Sequence, residues 1–219
     1  LRGDYMIDFN DPAHDGALRN LENLTLSSAG DERYARGGAG FDYDVTWADA
    51  LLGAGGTITI NGALLRSNET MDFDGSLETD GSFRIFAGAG DDSLSGAAGA
   101  DLIAGGLGGD TLRGGGGNDV FRYDGAADSS PSATDLIEDF STGDRIDLGR
   151  IDADAGLAGD QAFSFIGSAA FGNHAGELRY ENVAGTTWLV QGDTDGDGSV
   201  DLELLLVAAG NPVAADFIL

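Results

Sequence analysis

The 219-residue sequence contains no cysteine, and all 11 of its basic residues are arginine. Without cysteine there are no disulfides and no thiolate chemistry. Against 11 basic residues stand 38 acidic ones, a net charge of −27. That charge makes nucleic acid and anionic membrane surfaces poor partners. No apolar run is long enough to span a membrane, so no membrane insertion is expected. No N-terminal signal peptide is present and the first residue is Leu1, which reads as a fragment of a longer polypeptide. HExxH, GxSxG and phosphate-loop patterns are also missing. The two histidines, His14 and His174, sit in loop-like contexts without a fixed partner. No catalytic residue is assigned, and the chain is read as a non-enzyme. Disorder, the usual outcome for so acidic a chain, is opposed by 42% hydrophobic residues that fall in strand-like runs.

Glycine is abundant, and its placement is periodic. Residues 87–122 divide into AGAGDDSLS, GAAGADLIA, GGLGGDTLR and GGGGNDVFR. The sixth position is always aspartate: Asp92, Asp101, Asp110, Asp119. The eighth is always a large apolar residue: Leu94, Ile103, Leu112, Phe121. Glycine allows tight turns whose carbonyls face inward, and each aspartate adds an anionic oxygen. Stacked turns would then present carboxylate and carbonyl oxygens between layers, the donor set that Ca²⁺ prefers. One apolar residue per nine cannot be buried within a single repeat, so the repeats must stack. A flexible linker would not keep aspartate and Leu/Ile/Phe in fixed phase.

These blocks resemble the GGxGxDxUx nonapeptide of RTX proteins, the calcium-binding parallel β-roll. Ala87 and Ala97 are mild departures from its glycines. The resemblance implies two nonapeptides per turn of roll, with Asp92 facing Asp110 and Asp101 facing Asp119. It also implies several bound Ca²⁺ ions, with ligands from Gly88, Gly90, Asp92, Gly99, Asp101, Gly106, Gly108, Asp110, Gly115, Gly117 and Asp119.

The flanks read as β-structure. Upstream, residues 5–9, 21–26, 57–60 and 71–73 are strand candidates, and residues 10–19 form a polar loop holding Asp11-Pro12, read as a turn. Residues 37–42 fit the first six positions of a degenerate repeat, broken by Asp44 at the eighth. Counting back by nines reaches Ile85, so Glu78-Thr79-Asp80-Gly81 reads as a ragged first turn with Phe83 where aspartate should be. A solenoid and a sandwich both remain open for residues 1–86. Downstream, residues 135–140 and 145–148 read as two strands joined by Ser141-Thr142-Gly143-Asp144, and resemble the DxIxDF…GDxIDL segment that follows the roll in serralysin-type metalloproteases. Strand candidates at 162–166, 177–180, 186–191 and 200–207 would pair as an antiparallel sheet with Trp188 and Leu204 in its core. The last five residues, Ala-Asp-Phe-Ile-Leu, resemble the end of a type I secretion signal.

A second metal constellation is Asp193-Thr194-Asp195-Gly196-Asp197-Gly198-Ser199-Val200-Asp201. Carboxylates of Asp193, Asp195, Asp197 and Asp201 and the carbonyl of Ser199 could wrap one Ca²⁺, with Gly198 at the sharp turn. Leu204 stands where an EF-hand needs glutamate, and the flanks are strands. The loop resembles the calcium hairpins of integrin-type and RTX C-terminal domains.

The expected fold is all-β. A β-rich lead-in with a degenerate repeat spans 1–83, the parallel β-roll spans 84–125, and a C-terminal antiparallel β cap with the calcium loop spans 126–219. The expected function is a Ca²⁺-dependent C-terminal module, secreted or displayed at the surface of a Gram-negative bacterium. It would be exported by the type I secretion machinery and carry the signal for an upstream passenger. The alternative is a polysaccharide-binding or cell-surface assembly module of S-layer or adhesin type. For that reading Arg84, Arg113 and Arg122 hint at an anionic polysaccharide.

Overall fold

The computed structural model describes residues 5–8 (backbone only), 23–26, 42–47, 49 and 52–219. The expected loop at 10–19, His14 and residues 37–41 of the degenerate repeat lie outside them. Strands numbered along the chain alternate between two sheets. The ten-stranded sheet runs β1 (Tyr5–Asp8), β3 (Tyr43–Thr46), β5 (Met71–Asp74), β7 (Ser93–Ser95), β9 (Thr111–Arg113), β11 (Asp135–Phe140), β16 (Leu202–Ala208), β15 (Thr187–Asp193), β14 (Glu177–Ala184) and β13 (Ser164–Gly167). The seven-stranded sheet runs β17 (Phe217–Ile218), β12 (Arg145–Asp147), β10 (Val120–Arg122), β8 (Leu102–Ala104), β6 (Ser82–Phe86), β4 (Thr57–Asn61) and β2 (Asn23–Thr25). Odd strands enter one sheet and even strands the other through β12, all in parallel register. That is a two-sheet roll.

The strands are short because each supplies little core. In β7, Leu94 points inward between two outward serines. In the ten-stranded sheet the pairing stacks Val45, Phe73, Leu94, Leu112, Ile137 and Leu206 in one column. In the seven-stranded sheet it stacks Ile60, Ile85, Ile103, Phe121, Ile146 and Phe217. All twelve are buried, so the two columns form one continuous core along the roll.

A second inward position, two residues earlier on each strand, changes character along the chain. Upstream it is apolar: Tyr43 and Met71 on one side, Ile58 and Phe83 on the other, all fully buried. Phe83 packs edge-on against Trp47 and Phe73, with ring centroids at 5.8 and 5.1 Å. From residue 92 onward the same position is aspartate, until Leu204 restores an apolar residue opposite Asp135. The upstream coils are therefore solenoid rather than sandwich, and the ladder position there is filled by hydrophobic burial.

The parallel ladders run unbroken across residues 83/84 and 125/126, the edges expected for the roll: β4 pairs with β6 and β6 with β8, and β9 pairs with β11. The strands flanking the Ser141–Asp144 connection do not pair with each other; β11 and β12 continue the roll in opposite sheets. The C-terminal cap is antiparallel only in β14–β15–β16, while β13 joins β14 in parallel. The reason is the long return over residues 168–176, which brings the chain back to the starting end of β13. Leu204 is fully buried, and Trp188 is partly buried against the core. The terminal strand β17 lies parallel on β12 at the edge of the seven-stranded sheet. Among the described residues no helix is long and apolar enough to cross a membrane.

Candidate metal centre

The nonapeptide aspartates form two ladders that run along the roll. On one side the Met71 N–H donates to Asp92 Oδ1 at 2.6 Å, the Asp92 N–H to Asp110 Oδ1 at 2.8 Å and the Asp110 N–H to Asp135 Oδ1 at 2.8 Å. On the other side Phe83 donates to Asp101 at 2.5 Å, Asp101 to Asp119 at 2.8 Å and Asp119 to Asp144 at 2.9 Å. The structure thus brings together the expected pairs Asp92/Asp110 and Asp101/Asp119, each carboxylate reaching the backbone of the previous coil.

The second carboxylate oxygen turns into its own loop, and its surroundings differ from turn to turn. In the first two repeats it is satisfied locally: Gly88 N–H donates to Asp92 Oδ2 at 3.1 Å, and Ala97 N–H to Asp101 Oδ2 at 2.6 Å. In the next two, Asp110 Oδ2 and Asp119 Oδ2 are buried with no hydrogen-bond partner. These two turns are also where the backbone enters the left-handed region, with φ +94° and +119° at Gly106 and Gly108, and +89° and +111° at Gly115 and Gly117. Side chains there would be strained, and they would also collide with the layer below. A Cβ on Gly106, Gly108 or Gly117 would run into the carbonyl oxygen of Gly88, Gly90 or Gly99 respectively, and one on Gly115 into that of Ala97. The glycines thus leave room between layers for the carbonyl oxygens of the layer below.

Burial makes these carboxylates hard to ionise. It pushes Asp101 up to about 6, held down by the N–H groups of Ala97 and Phe83. Burial likewise lifts Asp92 and Asp119 to about 7. Asp110 reaches about 8 through burial and the charge of Asp92, and Asp135 about 9 through burial and the charge of Asp110. A stack of buried carboxylates raised by desolvation, Asp110 and Asp119 among those with an open oxygen, fits a hard divalent cation bound by oxygen. Asp110 on one ladder, above the Gly88 and Gly90 turn, and Asp119 on the other, above the Gly99 turn, would each hold such an ion.

Sequence reading missed Asp135 and Asp144. The signal was present: Asp135-x-Ile137 and Asp144-x-Ile146 keep the sixth and eighth positions of the nonapeptide, nine apart. Their glycines are missing and the step from the previous coil is 25 residues instead of 18, which hid them. Asp139 was also missed; both its oxygens accept backbone N–H groups, from Gly114 and Gly115, at 2.9 Å.

The second constellation closes the β15–β16 hairpin. Gly196 and Gly198 adopt φ +77° and +81°. Their N–H groups donate to Asp193 at 2.7 and 2.9 Å, so the loop curls over that buried carboxylate. One carboxylate oxygen each from Asp193, Asp195 and Asp197 lie within 4.8 Å of one another. Ser199 donates its N–H to Asp197 at 2.6 Å. Asp201 stands outside that trio; its Oδ2 accepts from Thr194 N and Oγ1 at 2.8 and 2.6 Å and pins the base of the loop.

The three arginines that hint at an anionic polysaccharide are divided between the two sheets. Arg84 and Arg122 face outward on the seven-stranded sheet, with Arg122 over the Phe86 ring at 4.9 Å and 3.0 Å from Asp124. Arg113 lies on the other sheet, paired with Glu138. His174 is exposed, 3.6 Å from Glu177.

A family model described as Peptidase M10 serralysin C terminal matches residues 7–219. No curated protein matches the chain.

Proposed function

We propose, for a chain that belongs to the Peptidase M10 serralysin C-terminal family, that its carboxylate ladders make folding conditional on Ca²⁺. The family is a calcium-binding RTX β-roll of secreted proteins, and it is the C-terminal rather than the peptidase part of M10 enzymes. We assign the module no catalysis. The observation that carries the reading is the pair of buried, unpartnered oxygens at Asp110 and Asp119, each set above a glycine turn. When bound, Ca²⁺ supplies positive charge and oxygen coordination between turns. At cytosolic calcium levels the carboxylates of a chain with net charge −27 repel one another, and the chain stays threadable for export. Outside, at about millimolar Ca²⁺, the carboxylates are deprotonated and ligated, and binding free energy becomes folding free energy. The terminal strand β17 would serve unfolded as the type I secretion signal of an upstream passenger, then dock on β12.

Circular dichroism during a Ca²⁺ titration of chelator-treated protein tests this, with Mg²⁺ as control. A cooperative rise of β-structure with Ca²⁺ alone is expected, weakened in the Asp101→Ala/Asp110→Ala variant. Equal β-content in chelator would overturn it.

A second reading has one observation in its favour. On this acidic chain the outer face of the seven-stranded sheet exposes Arg84 and Arg145, with Arg122 held against Phe86 and Asp124 on the same face, an arrangement suited to an anionic polysaccharide or cell-surface glycan. Retention on an alginate column, lost in the triple alanine variant, would support it.

A further inference from the structure

Three carboxylates outside the nonapeptides meet where the ladder on the Asp101 side runs out. Asp49 follows β3, and Glu78 and Asp80 lie in the turn between β5 and β6. One oxygen from each falls within 4.8 Å of the others. Asp49 is exposed and held in place by Thr79, whose N–H and hydroxyl donate to its Oδ1 at 2.8 and 2.5 Å. Glu78 is only 1% exposed. Its Oε1 accepts the N–H groups of Asp80 and Gly81 at 3.2 and 2.9 Å. Its Oε2 is buried with no hydrogen-bond partner.

A buried carboxylate oxygen without a donor is a costly arrangement unless something cationic completes it. Two further carboxylates beside it raise that cost instead of relieving it. The donors are all hard oxygens, with no histidine or cysteine in the cluster, which selects an alkaline-earth ion over a transition metal. The position in the fold is also informative. Gly99 of the second nonapeptide stacks directly on the Gly81 carbonyl, so this turn is the next layer below the Asp101 loop. Phe83 occupies the ladder position of that layer and supplies no carboxylate; Glu78, three residues before Gly81, brings one in from the turn instead.

We propose that Asp49, Glu78 and Asp80 form a further Ca²⁺ site, which ties the segment after β3 to the β5–β6 turn and ends the ladder upstream. The site rests on the reading of the module as calcium-binding, and it extends that role beyond the repeats into coils otherwise closed by apolar packing.

The experiment uses the whole chain in a Trp188→Phe background, leaving Trp47 as the only tryptophan. Trp47 lies two residues before Asp49 and packs on Phe83, close enough to sensitise Tb³⁺ bound there. Glu78→Gln keeps the size and the Oε1 acceptor but removes the charge. Asp49→Asn does the same at an exposed position. Ca²⁺ is counted by native mass spectrometry, and Trp-excited Tb³⁺ emission is read in parallel. Each variant should bind one ion fewer than the parent and lose at least half of the emission, with β-structure retained. Asp110→Asn should also lower the count but keep most of the emission. An unchanged count and emission in Glu78→Gln would overturn the site while leaving the repeat sites standing. If Glu78→Gln fails to fold, Asp49→Asn decides by the same criteria. A parent that binds no Ca²⁺ would sink both this site and the calcium reading beneath it.

Discussion

Replacing Asp110 by asparagine should move stability in opposite directions with and without calcium. Asp110 is 1% exposed, its Oδ2 is unpartnered, and burial with the Asp92 charge lifts it from 3.8 to about 8. A group raised on folding contributes stability that is complete below its unfolded value and is lost as pH rises through its folded value. For Asp110 the loss runs from about pH 4 to about pH 8. At pH 7 the folded metal-free chain must hold a proton that the unfolded chain has released, about 3 units above 3.8, and each unit is worth about 1.4 kcal/mol. The upper bound is therefore about 4 kcal/mol. Asparagine keeps the acceptor for the Asp92 N–H, but its amide needs a new partner in the turn, so about 1–3 kcal/mol should be recovered. In EGTA at pH 7.5, where the metal-free equilibrium favours the unfolded chain, Asp110→Asn should shift that equilibrium toward the folded state relative to wild type, and at pH 4 the gap should close. With Ca²⁺ the order should reverse, because the variant has lost an anionic ligand. Urea denaturation across pH, with and without Ca²⁺, reads all three. A variant less stable than wild type in EGTA at pH 7.5, or a gap that does not depend on pH, would refute the reasoning.

Other outcomes follow from the same geometry. Gly106→Ala combines a left-handed φ with collision against the Gly88 carbonyl and should cost about 2–3 kcal/mol, whereas Gly116→Ala, with its nearest neighbours at 3.5 Å and no positive φ, should be nearly silent in thermal melts. Leu112→Ala removes a fully stacked member of the ten-stranded core column and should cost about 2–5 kcal/mol in the Ca²⁺-loaded chain, by urea denaturation. Asp193→Asn should remove one ion from the total measured by isothermal titration while the roll's circular dichroism stays unchanged, since the hairpin trio is remote in sequence from the nonapeptides.

The legible part of this fold is the part with a strict period. A fixed spacing of Asp and Leu/Ile/Phe sets register as well as class, because one apolar residue per strand can face inward in only one phase. Asp92/Asp110 and Asp101/Asp119 stand in neighbouring coils, as the resemblance to the RTX roll implied. Upstream the period fades for a physical reason: Met71 and Phe83 occupy the ladder position, and two apolar residues per strand close a coil without aspartate or glycine turns. A hydrophobic pair is compatible with many folds, so solenoid and sandwich could not be separated there. Asp135 and Asp144 kept the Asp-x-Ile phase, nine apart, but lost the repeat's glycines, and extra residues between Asp119 and Asp135 put both out of step with the nonapeptides, 25 residues from the previous coil instead of 18. Glu78 falls in the ragged first turn reached by counting back in nines, but the period does not mark its position as a ligand; its partner Asp49 comes from another coil, a contact that only the stacking of layers creates.

The central claim is that the aspartate ladder, and not the apolar columns, makes the roll depend on calcium. Residue-resolved hydrogen exchange tests it most directly. The amides of Asp92, Asp101, Asp110 and Asp119 each donate to a carboxylate of the next coil. The account predicts strong protection of these four with Ca²⁺ and loss of it in chelator at pH 7.5, with partial recovery at pH 5 as the carboxylates protonate. Equal protection of all four in chelator and in Ca²⁺ at pH 7.5 would contradict it.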